Sequence, residues 1–187
     1  MIEFALVSLP FIFLLFAIIE LGLIFFANMA LANATLSLAR QIRVGKLTAP
    51  GKAATTSAGI AMDLADFKKA ICNNMKLVPT ATCLNQLQID MHVEASLQNQ
   101  TTASTGSGSN FNTSSFCFYS GSPGDIVVLR AYYLWDIQTP GLLAPLAPIK
   151  TMTTSSGNTT GSFFPLISSE VFRNEPNSAT TNNGSGC

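Results

Sequence analysis

Two carboxylates lie in a long apolar stretch near the start of the chain, residues 2–35. Glu3 stands almost at its beginning and Glu20 in its middle, and no other charged residue interrupts it. A stretch this long and apolar is typical of a segment that crosses a membrane. An ionisable side chain there is costly unless it has a partner, so both glutamates are candidate functional residues.

A second candidate group lies near the middle of the chain. Asp90, His92 and Glu94 alternate along a predicted strand and share its polar face, a pattern that could bind a metal ion. A solvent-facing strand gives the same pattern, and His92 is the only histidine. We therefore expect an ordinary surface histidine and no metal. The sequence also lacks nucleophile-elbow, P-loop, zinc-protease and dinucleotide motifs, which favours a protein that is not an enzyme and needs no cofactor.

The chain has four cysteines, Cys72, Cys83, Cys117 and Cys187. None lies in a CxxC pair or at zinc-binding distance from a histidine in the sequence. An even number beside a membrane segment predicts disulfides in an oxidising compartment, whereas the alternative is four free thiols in the cytosol. The short loop favours a Cys72–Cys83 pair, and Cys117 is expected to pair with Cys187, but the sequence leaves other connectivities open.

Length and composition limit the possible classes. The chain has 187 residues, which is enough for a membrane segment and one domain of about 100–150 residues. Ten basic and ten acidic residues give a net charge of zero, so nothing favours binding to nucleic acid. Beyond residue 50 the chain is rich in Thr, Ser, Asn and Gly, which suits an exported surface.

Residues 2–44 are predicted to form one retained helix. No basic residue precedes the apolar stretch, and that stretch is longer than the apolar core of a signal peptide. Arg40 and Arg43 suit the negative end of the helix dipole, and Gly45 is a plausible stop. Pro10 is predicted to kink the helix. The first half would span the lipid, and the second half would project and pack on a domain.

The orientation of this helix is predicted from two opposing signals. Four basic residues follow the span and favour a cytoplasmic C-terminal side: Arg40, Arg43, Lys46 and Lys52. The expected disulfides favour the opposite side. Long domains often cross a membrane regardless of flanking charge, so we expect the C-terminal domain to lie in the periplasm.

We divide the chain into a helix at 1–44, a linker at 45–56, an α+β domain at 57–175 and a disordered tail at 176–187. The domain should contain an amphipathic helix at 57–77, with Ser57 as a possible N-cap. Its apolar face would consist of Ile60, Leu64, Phe67, Ile71 and Met75. An antiparallel sheet should follow, with strands at 86–98, 125–135 and Ile167–Arg173, and polar loops at 99–115 and 151–162.

Three motifs in this sequence match a known pattern. The apolar stretch begins Glu3-Phe4-Ala5-Leu6, continues with Pro10 and contains Glu20-Leu21-Gly22. Downstream stand PGDIVVLRAYYLWDIQTP at 123–140 and VFRNEP at 171–176. Together these motifs resemble TadE-like proteins, the minor pilins or pseudopilins of the tight-adherence (Tad, or Flp) type IV pilus system. The resemblance covers most of the chain outside the Ser- and Thr-rich loops.

The resemblance implies a non-enzymatic protein that helps assemble a Tad pilus and supports adhesion and biofilm formation. Its partners would be the lipid bilayer, other pilins or pseudopilins, and inner-membrane assembly proteins. It would cross the inner membrane once, with a periplasmic C-terminal domain, or enter the extracellular pilus. Cleavage by a prepilin peptidase is implied by the resemblance alone, because no glycine precedes Glu3. The alternative is a periplasmic binding module held by an uncleaved N-terminal anchor.

The resemblance also implies roles for the two glutamates. Glu3 resembles the carboxylate that pairs with the N-terminal amine of a neighbouring pilin subunit, whereas the alternative places it among lipid headgroups. Glu20 could pair with another subunit, for instance with Arg40 or Arg43 of a neighbour. Equally, Glu20 could lie at the periplasmic edge, since about 17 residues nearly span a bilayer. The sequence leaves this choice open.

Overall fold

The computed structural model describes residues 2–49, 60–76, 78–96, 105, 108–138, 147–154 and 157–176. A long N-terminal helix is followed by a small domain with two shorter helices and a five-stranded sheet, so the predicted α+β class is confirmed. The helices are α1 (Ile2–Arg43), α2 (Leu64–Met75) and α3 (Thr80–Gln86). The strands are β1 (Leu47–Thr48), β2 (Ile60–Ala61), β3 (Leu87–Glu94), β4 (Asn110–Asn112), β5 (Ile126–Asp136), β6 (Ile149–Thr154) and β7 (Gly157–Arg173).

Helix α1 contains 42 residues and is about 63 Å long at 1.5 Å per residue. It ends where the sequence predicts. Gly45 adopts a left-handed φ of 72°, which lets its amide donate to the Ile42 carbonyl and that of Lys46 to the Gln41 carbonyl. Pro10 lies inside the helix, and the kink expected there stays a prediction.

The predicted start of the second helix is wrong. Helix α2 begins at Leu64, and Asp63 rather than Ser57 is its N-cap, because Asp63 Oδ1 accepts a hydrogen bond of 2.8 Å from the Asp66 amide. Ile60 and Ala61 form β2 instead, which pairs in parallel with β1. Ser57 lies outside the described residues. The buried face of α2 is Phe67, Ile71, Cys72 and Met75, whereas Leu64 in the first turn is exposed.

A further short helix follows α2. Residues 80–86 form α3, and Cys83 lies within it. The disulfide between Cys72 and Cys83 therefore joins two helices. Residues 177–187 of the predicted tail, including Cys187, lie outside the described residues.

The five-stranded sheet has the order β3-β5-β7-β6-β4. Its pairs are antiparallel except for β4 with β6, which are parallel, so the expected antiparallel sheet is in fact mixed. Strand β4 lies in the predicted loop 99–115, and most of β6 and the start of β7 lie in the predicted loop 151–162. Strand β6 and the start of β7 are rich in Thr, whose β-branched side chain suits a strand, and backbone pairing does not require an apolar face.

The two faces of the sheet are covered by different parts of the chain. One face packs against α1 and α2, and the resulting core includes Leu31, Phe67, Leu129 and Tyr133. On the other face, Phe111 and Phe116 pack against Tyr132. Strand β3 is consequently buried on both faces over most of its length, in contrast to the half-buried strand that its alternation predicts.

Candidate membrane and assembly helix

The N-terminal part of α1 has no covering from the rest of the described chain. From Phe4 to Phe16, no side chain that the structure describes is buried, and Phe4 is 80% exposed. Within the described residues, α1 is the one helix long and apolar enough to cross a membrane, and only 17% of its most apolar window is buried. An apolar helix that its own domain leaves bare suits lipid or another helix.

From Ala17 onward, one side of α1 is buried against the domain. The buried positions recur at alternating steps of three and four residues: Ala17, Glu20, Ile24, Ala27, Leu31, Ala34 and Leu38. This spacing keeps the side chains on one stripe of the helix. We call these seven residues the docking stripe. Helix α1 packs against the sheet and α2, and its residues from Ile24 onward, about the C-terminal half of the helix, contribute to the domain core.

Glu20 is the one charged member of the docking stripe, and it is 5% exposed. Its Oε1 accepts a hydrogen bond of 2.7 Å from the backbone amide of Gln138, just beyond the end of β5. Asp136 at the end of β5 has a raised pKa because of burial and, secondly, the negative charge of Glu20. Glu20 thus joins α1 to the sheet within one chain, near the N-terminal end of the docking stripe.

The other predicted residues of this helix lie in its uncovered part. The backbone of Glu3 is in the first turn of α1, and its side chain lies outside what the structure describes. Pro10 is exposed and helical. The assembly roles proposed for Glu3, Pro10 and Glu20 therefore remain predictions.

The downstream motifs at residues 123–140 and 171–176 meet where β5 begins and β7 ends, at the other end of β5 from Asp136. Asn174 Nδ2 donates to the carbonyl oxygens of Ser120 and Ser122 at 2.7 and 3.1 Å, and its backbone amide donates to Asp125 O at 2.9 Å. Arg173 Nε donates to Gly124 O at 2.8 Å. We call this meeting of residues 120–125 with residues 173–175 the motif clasp. It ties the start of β5 to the end of β7.

The motif clasp also holds the end of α1. The Glu175 amide donates to the Arg43 carbonyl at 3.0 Å, and the two side chains approach within 3.7 Å. Ser120 Oγ accepts from the Ala49 amide at 3.0 Å. The segment that leaves the helix is therefore fixed to the same residues that join β5 and β7.

His92 lies in a charged cluster rather than on an ordinary surface. Its Nδ1 is 3.2 Å from Asp90 Oδ2 and its Nε2 is 3.0 Å from Glu94 Oε1, and both carboxylates are buried. Arg130 on β5 lies opposite Asp90 in the register, with Nη1 3.6 Å from Oδ2. Hydrogen bonding to Asp90 raises the pKa of His92, while burial and Arg130 oppose that shift. The expectation of an ordinary surface histidine is wrong.

This cluster does not have the geometry of a metal site. Each ring nitrogen of His92 faces a separate carboxylate, so neither is directed with them toward a shared point. Among the residues that the structure describes, no group of three or more His, Cys, Asp or Glu side chains is placed to hold a metal ion. The cluster instead pairs two buried carboxylates with two basic groups.

The structure shows one of the two predicted disulfides. The favoured pair, Cys72 with Cys83, is confirmed. Cys117 is buried beside β3, where its amide donates to Asp90 Oδ1 at 3.1 Å. Its expected partner, Cys187, lies outside the described residues, so that pairing stays a prediction.

Comparison with protein families gave one match, to the family described as TadE-like protein, over residues 1–40. Comparisons with curated proteins and with solved structures gave no match. The matched residues include the uncovered part of α1 and the whole docking stripe. TadE-like proteins are components of the Tad pilus system and are not known as enzymes. The match supports the resemblance found in the sequence over the N-terminal helix, where this chain is similar to the TadE-like proteins of the Tad pilus system.

Proposed function

We propose that this protein is a minor pilin or pseudopilin that takes part in assembling a Tad pilus and so supports adhesion and biofilm formation. Its α1 would lie in the inner membrane, with the α+β domain in the periplasm. During assembly the helix would leave the lipid and enter a bundle with helices of other pilins. In that bundle, Glu3 would pair with the N-terminal amine of a neighbouring subunit.

The contrast between the two parts of α1 carries this proposal. The docking stripe fixes the C-terminal part of the helix to the domain, whereas the described side chains from Phe4 to Phe16 have no intramolecular covering. The segment from Ile2 to Ile19 is about 27 Å long at 1.5 Å per residue, close to the ~30 Å hydrocarbon core of a bilayer. A helix of this design can exchange lipid for apolar partners without unfolding the domain.

The test is pilus shearing in cells that express the wild type, Glu3→Ala, Glu3→Gln or the control Phe4→Leu. Phe4→Leu changes an exposed neighbour on the same turn and keeps it apolar. Membrane and sheared fractions are blotted for this protein and the major pilin, and surface attachment is measured in parallel. We expect both Glu3 variants to remain in the membrane and lose pili and attachment, and the control to retain both.

The same experiment separates the alternative. If Glu3→Ala and Glu3→Gln leave pili and localisation unchanged, α1 is only an anchor. The pilin proposal would then be wrong, and a membrane-anchored binding module would be favoured. Glu3→Gln separates loss of the charge from loss of side-chain volume, since only the charge differs substantially.

A further inference from the structure

A cleft of about 460 Å³ lies between α3 and the paired ends of β6 and β7. Lys68 of α2 and Gln88 of β3 line it as well. Its volume lies within the range of about 300–1,000 Å³ that is common for small-molecule sites. The Cys72–Cys83 disulfide joins α2 to α3 and so braces one wall. This cleft lies on the domain, away from the uncovered part of α1.

The polar lining of this cleft is mostly uncharged. Its amide side chains are Asn85, Gln86, Gln88 and Asn158, and three threonines, Thr82, Thr154 and Thr159, add hydroxyl groups. Side-chain amides both donate and accept hydrogen bonds, and so do the hydroxyl groups of a sugar. Among the described lining residues there is no carboxylate, and Lys68 is the one cation.

The ammonium group of Lys68 is held at the wall of the cleft. Its Nζ donates a hydrogen bond of 3.0 Å to Gln88 Oε1, and Gln88 Nε2 donates to the Asn85 carbonyl at 3.2 Å. Gln88 is only 8% exposed, so this amide is fixed by both contacts. A lysine has three N–H donors, and Gln88 takes one of them.

Lys68 also lacks a compensating negative charge in the described part of the chain, where no carboxylate lies within ion-pair distance of it. Burial lowers the pKa of its amine, because a partly desolvated ammonium without a counter-ion is disfavoured. An anionic group bound in the cleft would relieve that cost. The adjacent Lys69 differs, since it is exposed and pairs with Asp66 at 3.2 Å.

We propose that this cleft binds an acidic sugar, a hydroxyl-rich ligand with one carboxylate. The Lys68 ammonium takes the carboxylate, and the amide side chains of Asn85 and Asn158 on the two walls take hydroxyl groups. One ammonium without an arginine suits a single negative charge better than a phosphate, which is commonly held by several donors. This binding is independent of the pilus function proposed above.

The test is titration of the full-length protein in phosphatidylcholine nanodiscs, which avoids detergents with sugar headgroups. D-glucuronate, D-glucose and acetate are added separately, and side-chain amide signals are followed by ¹H–¹⁵N NMR. We expect saturable binding of D-glucuronate that Lys68→Met weakens about tenfold, the loss of one charge-assisted hydrogen bond. Lys69→Met, the matched control, should leave that affinity unchanged. Asn158→Ala, on the wall opposite α2, should weaken it independently of Lys68.

Four outcomes would overturn the proposal. The first is absence of saturable D-glucuronate binding. The second is equal weakening by Lys68→Met and Lys69→Met, which would indicate general charge attraction. The third is equal affinity for D-glucose, which would remove the role of the carboxylate. The fourth is equal affinity for acetate, which would remove the role of the hydroxyl groups. If Lys68→Met does not fold, unchanged affinity in Asn158→Ala would overturn the proposal by itself.

Discussion

Glu20 and Gln138 are 118 positions apart in the sequence, and the Gln138 amide donates a hydrogen bond of 2.7 Å to Glu20 Oε1. A buried carboxylate in an apolar helix thus has a partner in its own chain. The two positions that the sequence leaves open for Glu20, against a neighbouring subunit or at the periplasmic edge of the membrane, both stay predictions.

We expect Glu20→Ala to destabilise the docking of α1 on the sheet by about 2–3 kcal/mol, because it leaves the Gln138 amide without this acceptor and opens a cavity. Glu20→Gln keeps an acceptor oxygen of similar size and should cost less than about 1 kcal/mol. Thermal unfolding in nanodiscs measures both variants. Equal destabilisation by the two would show that the charge of Glu20, rather than this hydrogen bond, matters.

Glu20→Gln should also lower the pKa of Asp136, because it removes one of the two causes that raise it. Burial, the larger cause, remains, so the pKa should stay above its ordinary value. An NMR titration of the Asp136 carboxyl tests this expectation. An unchanged pKa would mean that Asp136 does not sense Glu20.

We expect the stability of the domain to fall as the pH rises above about 6.5, the usual pKa of histidine. His92 has a raised pKa in the folded state, chiefly through hydrogen bonding to Asp90, so the folded protein binds its proton more tightly than the unfolded chain. Its stabilising contribution is therefore fully present below the unfolded pKa and is lost as the pH passes the folded pKa. Urea unfolding between about pH 6 and 8.5 measures the slope.

His92→Gln is the control for this slope, since glutamine can hydrogen-bond the carboxylates without titrating. The dependence of unfolding on pH should flatten in this variant. If the wild type and His92→Gln show the same slope, another group causes it. The charged neighbours Asp90, Glu94 and Arg130 are present in both proteins, and Tyr132, whose pKa is raised, stays protonated across this range.

The sequence predicts those parts of the fold that local patterns determine. The apolar stretch and Gly45 define α1, alternation defines β3, and β-branched and aromatic residues define most of β5. Strand β4, most of β6 and the start of β7 lie in segments that the sequence predicts as loops, because these segments carry no periodic apolar signal. Their strand pairing depends on residues distant in the sequence. Ser57 and Asp63 are both chemically suited to cap a helix, and local sequence could not choose between them.

The contacts of the candidate site were harder to predict for a similar reason. Glu20 was recognised because a carboxylate in an apolar run is costly, but its partner is a backbone amide, which every residue except proline has. Asn174 was part of a recognised motif, yet its contacts with residues 120–125 appear only when β5 and β7 pair. The half-buried setting of His92 likewise depends on pairing with β5, which brings Arg130 opposite Asp90.

Two glycines in the motif clasp form a matched pair for a test of backbone strain. Gly121 and Gly124 both have left-handed φ angles, 71° and 88°. A Cβ on Gly121 would lie 2.6 Å from Val93 Cγ2, whereas one on Gly124 would meet nothing within 4 Å. We expect Gly124→Ala to cost about 1 kcal/mol for the backbone alone, and Gly121→Ala about 1–3 kcal/mol more for the clash. Chemical denaturation measures the difference, and equal costs would show that Val93 moves freely.

The disulfide provides a test of both cysteine pairings. Cys72 and Cys83 are separated by 11 positions, and removing a cross-link over a loop of this size should cost about 3 kcal/mol. We therefore expect Cys72→Ser/Cys83→Ser to unfold at a clearly lower urea concentration than the wild type.

Because the predicted Cys117–Cys187 pair would remain in this variant, reductant should destabilise it further. Counting thiols in denaturant without reductant should find none in either protein. Two reactive thiols in the double variant would instead show that Cys117 and Cys187 are not joined, and that the second pairing is wrong.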